Sequence, residues 1–373
     1  MWDVTEDALE SLAIGAGILG TGGGGNPYVG KLEAREQLRQ GRRIAVVPVA
    51  ELADDAFVTS VGGMGAPTVS NERIHRGDEP LVAMRALERH LGRRFTHVIP
   101  GEIGGANAMA PMVVAAQAGL PVVDGDGMGR AFPELQMDTF TIYGVRPTPG
   151  ALADPRGHQV VFAEIAAAET LERYARAVTI QMGGAAGYAF PPMSAAEVRR
   201  TAVPGTVTLA IAMGDAVRAA RVGHADPVAA ALAVAGGRTL FMGKIVDVAR
   251  RLEGGFARGV LRLDGSGPDA GRALRIDFQN ENLIARTDDG EVLAVVPDLI
   301  CLVDEDTAEP ITTEVVRYGL RVAVVGIPAP AMLKTPAALA VIGPAAFGYP
   351  DVAYVPMAGV YGGGRGATAT ARE

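Results

Sequence analysis

The chain has 373 residues, of which 49% are hydrophobic, 20% charged and 5% aromatic, with a formal net charge of -8. Such a composition suits a globular chain with a large core and room for about two domains, and it excludes a disordered one. The acidic balance and the lack of any Lys/Arg-rich run argue against a nucleic-acid partner or a polybasic membrane patch, which leaves a small molecule as the expected partner.

The chain opens with MWDVTEDALE, acidic where a secretion signal carries Lys or Arg, and no run of about 18 apolar residues follows, so a cytoplasmic, non-membrane protein is expected. Asp3, with Glu6 three residues on, predicts a capped helix whose apolar stripe is Ala8, Leu9, Leu12, Ala13 and Ala16. Glycines at 20 and 22–25 end it, and Asn26-Pro27 opens a second helix. Strands are predicted at 43–50 and in FVTSVGG, then a helix at 79–92, a strand at 95–100, a helix at 106–119 and a strand at 120–126. That alternation is the signal of parallel βαβ units, giving an α/β N-terminal domain with parallel strands over 1–170.

A helix around 163–176 and a strand near 177–184 lead into a helical region, with a capping box at Ser194 and Glu197 and a helix start at Asp226-Pro227. The segment 171–240 is expected to pack on the α/β domain. Beyond about 240, short alternating runs separated by DG, DDG and Pro turns predict a β-rich C-terminal domain over 241–373, a barrel or a sandwich. The single cysteine, Cys301, excludes an intrachain disulfide and lies in the apolar run VVPDLICLVD, where a buried small hydrophobe is expected.

Two nucleotide signatures overlap in GAGILGTGGGGNPYVGK. Gly15-x-Gly17-x-x-Gly20 matches a dinucleotide fingerprint, but it closes a helix instead of following a strand. Gly25-x-x-x-x-Gly30-Lys31 resembles a phosphate loop, but Leu32 replaces the hydroxyl residue that would hold magnesium and Pro27 removes a backbone donor. No nucleotide is therefore expected. What survives is a glycine run, Gly23 and Gly24 within it, that permits close backbone approach by a small polar ligand or serves as a helix connector.

Three predicted strands end in glycine-rich loops, at 60–72, 100–107 and 123–136. Parallel strands gather such ends along one edge, where open α/β folds bind ligands, so Glu72, Glu102, Asp124, Asp126 and Glu134 are the candidate acids. Asp124-Gly125-Asp126 offers a divalent metal site or a base beside a second acid, provided a turn after Val123 lets both carboxylates converge. Asn107 is expected to cap the helix from 108, and Arg130 to pair with a substrate carboxylate or with Glu134. Among five histidines without HxH or HExxH spacing, His75 is the best candidate; no GxSxG elbow occurs.

The blocks TGGGGNPYVG, GGMGAPTVSNER, EIGGANAMAPMVVAAQAGLPVVDGDGMGRAFPELQM, NENLIA, VPDLICLVD, EPITTEVVRYGLRVAVVGIPAP and IGPAAFGY span nearly the whole chain. Together they resemble the S-methyl thiohydantoin desulfurase family, with Gly125 standing where Ala is expected and Ser70-Asn71 where larger residues are expected. The resemblance implies an α/β domain joined to a β-rich domain. It implies an enzyme that replaces sulfur by oxygen on a five-membered thiohydantoin or hydantoin-like ring, releasing thiol or sulfide. Glu102, Asp124 and Asp126 would then be catalytic, with Asp124, Asp126 and Glu134 holding a possible divalent metal. Gly23, Gly24, Gly63, Glu72, Asn107 and Arg130 would contact the ring. The other readings are a non-catalytic accessory subunit of a hydantoinase-type hydrolase and a ring-opening amidohydrolase. The Ala- and Gly-rich composition suggests a homo-oligomer.

Overall fold

A computed structural model describes residues 1–65, 69, 72, 76–253, 256–359 and 361–362. Helix α1 (Glu6–Leu19) starts two residues later than its sequence suggests: Thr5 is its cap, accepting from Ala8 N, while Asp3 lies in the short strand β1 (Trp2–Asp3) and pairs with Arg43. Its Leu9, Leu12, Ala13 and Ala16 are buried as the periodicity requires. After the glycine run, Asn26 accepts from Tyr28 N and Pro27 occupies the first turn of α2 (Pro27–Arg39).

The first sheet is mixed. Its β2 (Ala45–Pro48), β5 (Val122–Asp126), β4 (His97–Pro100) and β3 (Phe57–Gly65) are parallel neighbours, in that spatial order. Helices α3 (Glu79–Leu91) and α4 (Ala110–Ala118) connect β3 to β4 and β4 to β5, the βαβ units expected from the alternation. On the β3 side the sheet continues antiparallel through β8 (Ala185–Ser194), β6 (Gly150–Ala153) and β7 (Gln159–Phe162).

Two expectations fail here. Residues 177–184 are not a strand, because α6 (Ala168–Gln181), the helix after the short α5 (Thr139–Ile142), runs through the β-branched Val178, Thr179 and Ile180. Burial of Leu171, Ala175 and Thr179 on one face outweighs their β preference. The strand begins only after Gly183 and Gly184, both at positive φ, and β8 then occupies a stretch read as the approach to helices.

Helix α7 (Ala195–Thr201) carries the predicted capping box; β9 (Val203–Pro204) pairs with β5 and leads into α8 (Thr206–Val222) and α9 (Pro227–Ala235). Helices α1 and α8 meet where Gly15 lies against the Ala210 carbonyl and Gly214 against the Ser11 carbonyl; a Cβ at either glycine would overlap backbone. The first glycine of the dinucleotide-like signature is thus a helix-packing contact.

The C-terminal domain is a seven-stranded antiparallel sheet in the order β14-β13-β12-β11-β10-β16-β15. Its strands are β10 (Arg238–Glu253), β11 (Phe256–Gly265), β12 (Ala273–Gln279), β13 (Glu281–Thr287), β14 (Val292–Val295), β15 (Leu299–Asp304) and β16 (Arg321–Ile327). The sheet curls into a half-barrel, so that Asn282 on β13 donates from its side chain to the Ile300 carbonyl on β15. Phe241, Leu263, Ile276 and Val324 lie in the core of this domain, and α10 (Pro336–Ile342) packs in a separate cluster against the 128–137 loop.

Asp124 belongs to this framework. Helix α8 begins at Gly205, which has no capping side chain; instead Asp124 accepts from Val207 N at 3.0 Å, Thr208 N at 3.1 Å and the Thr208 hydroxyl at 2.5 Å. Asp124→Ala leaves those donors unpaired and is expected to lower unfolding free energy by about 1–3 kcal/mol in urea melts. An unchanged midpoint would contradict the capping role.

Candidate functional site

Strand β5 continues through Asp126, and strand alternation puts Asp124 and Asp126, two residues apart, on the same side without any turn, yet their carboxylates bond to different segments. Asp124 turns to α8, whereas Asp126, wholly buried, turns under the loops that follow β4 and β5. One Asp126 oxygen accepts from Ile103 N at 2.8 Å, Met128 N at 3.1 Å and Gly129 N at 2.8 Å, tying both loops to one point. Burial lifts its carboxyl to about 7 against the pull of those donors. The convergence needed for a metal between Asp124, Asp126 and Glu134 does not occur, and among the described residues no three His, Cys, Asp or Glu side chains come together as a metal site.

Glu102 sits two residues past β4 and is 7% exposed. Its Oε1 accepts from Asn107 Nδ2 at 2.6 Å and its Oε2 from Phe132 N at 3.1 Å. Asn107 does not cap the helix after it. Its Oδ1 accepts from Gly63 N at 2.7 Å and its Nδ2 also reaches Gly63 O at 3.2 Å, so it staples the end of β3 to Glu102. Burial raises the Glu102 carboxyl to about 7; the bonds from Asn107 and Phe132 oppose that rise, and the charge of Asp126 adds to it.

The second carboxyl comes from the other domain. Asn280, at φ 56, turns the chain between β12 and β13 and places Glu281, 2% exposed, at the junction. Gly23 lies directly beneath it, and a Cβ there would overlap the Glu281 carboxylate. Burial first, then the charge of Glu102, holds Glu281 well above the usual carboxylate range, while the Arg130 charge pulls it down. Nothing in the strand-end argument pointed to Glu281. Its one sequence signal is an acid between two asparagines in NENLIA, at the head of an otherwise apolar strand.

These groups open on a cavity of about 240 Å³. Glu102, Asn107, Asn280, Glu281 and Tyr188 are among its polar lining, together with Glu33, Glu79 and Arg176; Gly24, Gly25 and Gly63 contribute backbone, and Val113, Met128 and Phe132 are among its apolar lining. Glu134 also lines it and accepts from the Gln136 side chain. Asp124, Asp126 and Gly23 do not line it, and Glu72 is exposed outside the lining. His75 falls outside the described residues.

Arg130 pairs neither with Glu134 nor with the cavity. Wholly buried, it donates to Ala131 O, Pro297 O, Asp298 O, the Thr21 hydroxyl and Asn282 O, and its guanidinium stacks 4.6 Å over Phe132. It therefore bolts the 126–132 loop to the C-terminal domain. Burial lowers its pKa to about 10, which leaves it cationic, and the neighbouring acids Glu281, Asp298 and Glu102 oppose that fall. Cys301 is buried and its thiol is pushed up to about 12, as fits an inert strand residue.

Two family descriptions match in succession: the S-Me-THD-like N-terminal domain over residues 7–164 and the S-Me-THD-like C-terminal domain over residues 166–357. The chain belongs to this family. Their junction precedes α6, so β8 of the first sheet comes from the C-terminal match. A crystal structure of a protein from Chromobacterium violaceum, a structural-genomics target, is similar with a TM-score of 0.79 and 27% identity, covering 96% of this chain and 100% of that one. Among curated proteins none matches. No described helix is long and apolar enough to cross a membrane.

Asn107→Ala removes a bond that favours the ionised Glu102, and the apparent Glu102 pKa is expected to rise above about 7 in a carboxyl carbon NMR titration; an unmoved or lowered value would contradict the staple. Glu102, Asp126 and Asp138 all carry carboxyls lifted to about 7, so the folded chain keeps protons that the unfolded chain releases at lower pH. Their stabilisation is complete below the ordinary carboxylate range and is lost as pH rises through about 7. The melting temperature is expected to be higher at about pH 6 than at about pH 8, and a reversed order would contradict it.

Proposed function

We propose that this member of the S-Me-THD-like family hydrolyses the carbon–sulfur bond of an S-alkylated thiohydantoin-type ring, releasing a thiol and leaving the hydantoin. The observation that carries the reading is a pair of buried carboxyls of unequal acidity, Glu102 and Glu281, at one small cavity. Environments that push two acids apart are how one site supplies a base and an acid at the same pH. At neutral pH Glu102 is partly ionised and can take a proton from water, while Glu281 keeps its proton and can give it.

The water oxygen bonds to the sulfur-bearing carbon as its proton passes to Glu102. The electron pair of the carbon–nitrogen double bond moves to the ring nitrogen, which takes the proton of Glu281. Collapse of the adduct re-forms a carbon–oxygen double bond and breaks the carbon–sulfur bond. The hydroxyl proton of the adduct returns to Glu281 as the sulfur leaves with its electron pair and takes the proton held by Glu102. Both carboxyls end as they began, and water has been added across the bond. The cavity, at about 240 Å³, is below the roughly 300–1,000 Å³ of drug-sized sites and suits a single small ring. The Asp124, Asp126 and Glu134 arrangement does not fit a divalent ion, and no step is routed through one.

Glu102→Gln and Glu281→Gln are each expected to cut thiol release from S-methyl thiohydantoin by about 10²–10⁴-fold while leaving the chain folded. The wild-type rate should rise with pH as Glu102 ionises near about 7 and fall again where Glu281 loses its proton. Wild-type turnover of S-alkyl rings without thiol release but with a new carboxylate would mean ring opening. Ligand binding without any turnover would mean an accessory subunit.

A further inference from the structure

Tyr188 projects from β8 opposite Gly62 of β3, and its ring stacks on Phe190 with centroids 4.7 Å apart. Its hydroxyl passes over Gly62 and ends at Gly101, the residue before Glu102, and a Cβ on either glycine would overlap the phenol. A glycine of β3 and the glycine that follows β4 thus leave room for one hydroxyl. Ser60 is its hydrogen-bond partner: the Ser60 Oγ lies near the space a Cβ on Gly101 would take, and it also donates to the Phe190 carbonyl. Tyr188 is 5% exposed, yet it lines the cavity. Burial raises its pKa, and the charges of Glu102 and Asp138 raise it further, so the phenol keeps its proton throughout the working range and can only donate to an anion.

We propose that the Tyr188 hydroxyl is a catalytic hydrogen-bond donor in this cavity, aimed at the ring carbonyl oxygen conjugated with the nitrogen that Glu281 protonates. The inference rests on the hydrolytic reading above and adds a third group to it. As water adds, the electron pair moving to the ring nitrogen is shared with the neighbouring carbonyl, and charge builds on that oxygen before the proton of Glu281 arrives. A fixed donor in a buried cavity stabilises that charge without reorganising, the way an oxyanion hole does. Tyr188 transfers no proton, so the atom balance of the hydrolysis is unchanged.

Tyr188→Phe deletes the hydroxyl and keeps the ring stacked on Phe190. With S-methyl thiohydantoin, kcat is expected to fall about 100-fold with the rising limb of the pH profile in place. Hydantoin, which carries the same carbonyl but no sulfur, is expected to bind the variant roughly fivefold more weakly in calorimetry. A variant whose kcat and hydantoin affinity both match the wild type overturns the proposal while wild-type thiol release still stands. If the wild type releases no thiol from any S-alkyl ring, the hydrolytic reading fails instead, and hydantoin affinity alone decides whether Tyr188 donates to the ring, equal affinities overturning it.

Discussion

Between Thr21 and Gly25 the backbone runs through a gap between the two domains that side chains would block. The Thr21 and Gly22 carbonyls accept from Asn282 N and Thr313 N on the C-terminal side, and the Gly24 and Gly25 carbonyls accept from Ala106 N on the other. Gly22, Gly24 and Gly25 hold φ values of 93, 72 and 76, which L side chains rarely adopt. Gly23 leaves the space that the Glu281 carboxylate fills, and Gly24 lies against the Gly104 carbonyl. The glycine run ahead of α2 is therefore the seam on which the site is assembled. It lets a carboxyl from β13 and a carboxyl from the loop after β4 reach the same cavity.

Bringing charge to that seam is costly, and the chain offsets the cost in two ways. Arg130 sits wholly buried and donates to neutral carbonyls and a hydroxyl, which leaves its charge to act through space on Glu281, Asp298 and Glu102. The carboxyls respond by holding protons more tightly than they would in water. The same burial that penalises ionisation separates a base from an acid, because Glu102 receives bonds from Asn107 and Phe132 that favour its charge while Glu281 faces the charge of Glu102. Asp126 contributes from below by fixing the loops rather than by meeting a ligand.

Local signals were legible along the chain wherever one segment determines its own geometry. Asn26-Pro27, Ser194 with Glu197, and Asp226-Pro227 open helices as their side chains require, and the βαβ alternation predicts the parallel strands. The strand-end rule points to Glu102 and to Gly63, which line the cavity. The same rule overreached at Asp124 and Asp126, since the backbone donors of α8 occupy one carboxylate and those of the loops after β4 and β5 the other. Glu281 and Tyr188 were missed because nothing near them in sequence marks a site; they meet Glu102 only through domain packing and through an antiparallel strand that the β-branched run at 178–180 concealed. In sequence Asn107 reads as a helix cap, and Arg130 as a partner of Glu134 or of a substrate carboxylate. Their actual partners, Gly63 and Glu102 for one and Thr21, Pro297 and Asp298 for the other, lie in other segments.

The central claim is that two carboxyls at one cavity hold different protonation states at neutral pH. Infrared difference spectra that compare the wild type with Glu281→Gln and Glu102→Gln read this without any substrate. A protonated-carboxyl band present at about pH 8 is expected to be lost in Glu281→Gln and retained in Glu102→Gln. A band that survives in Glu281→Gln, or that disappears only in Glu102→Gln, would contradict it.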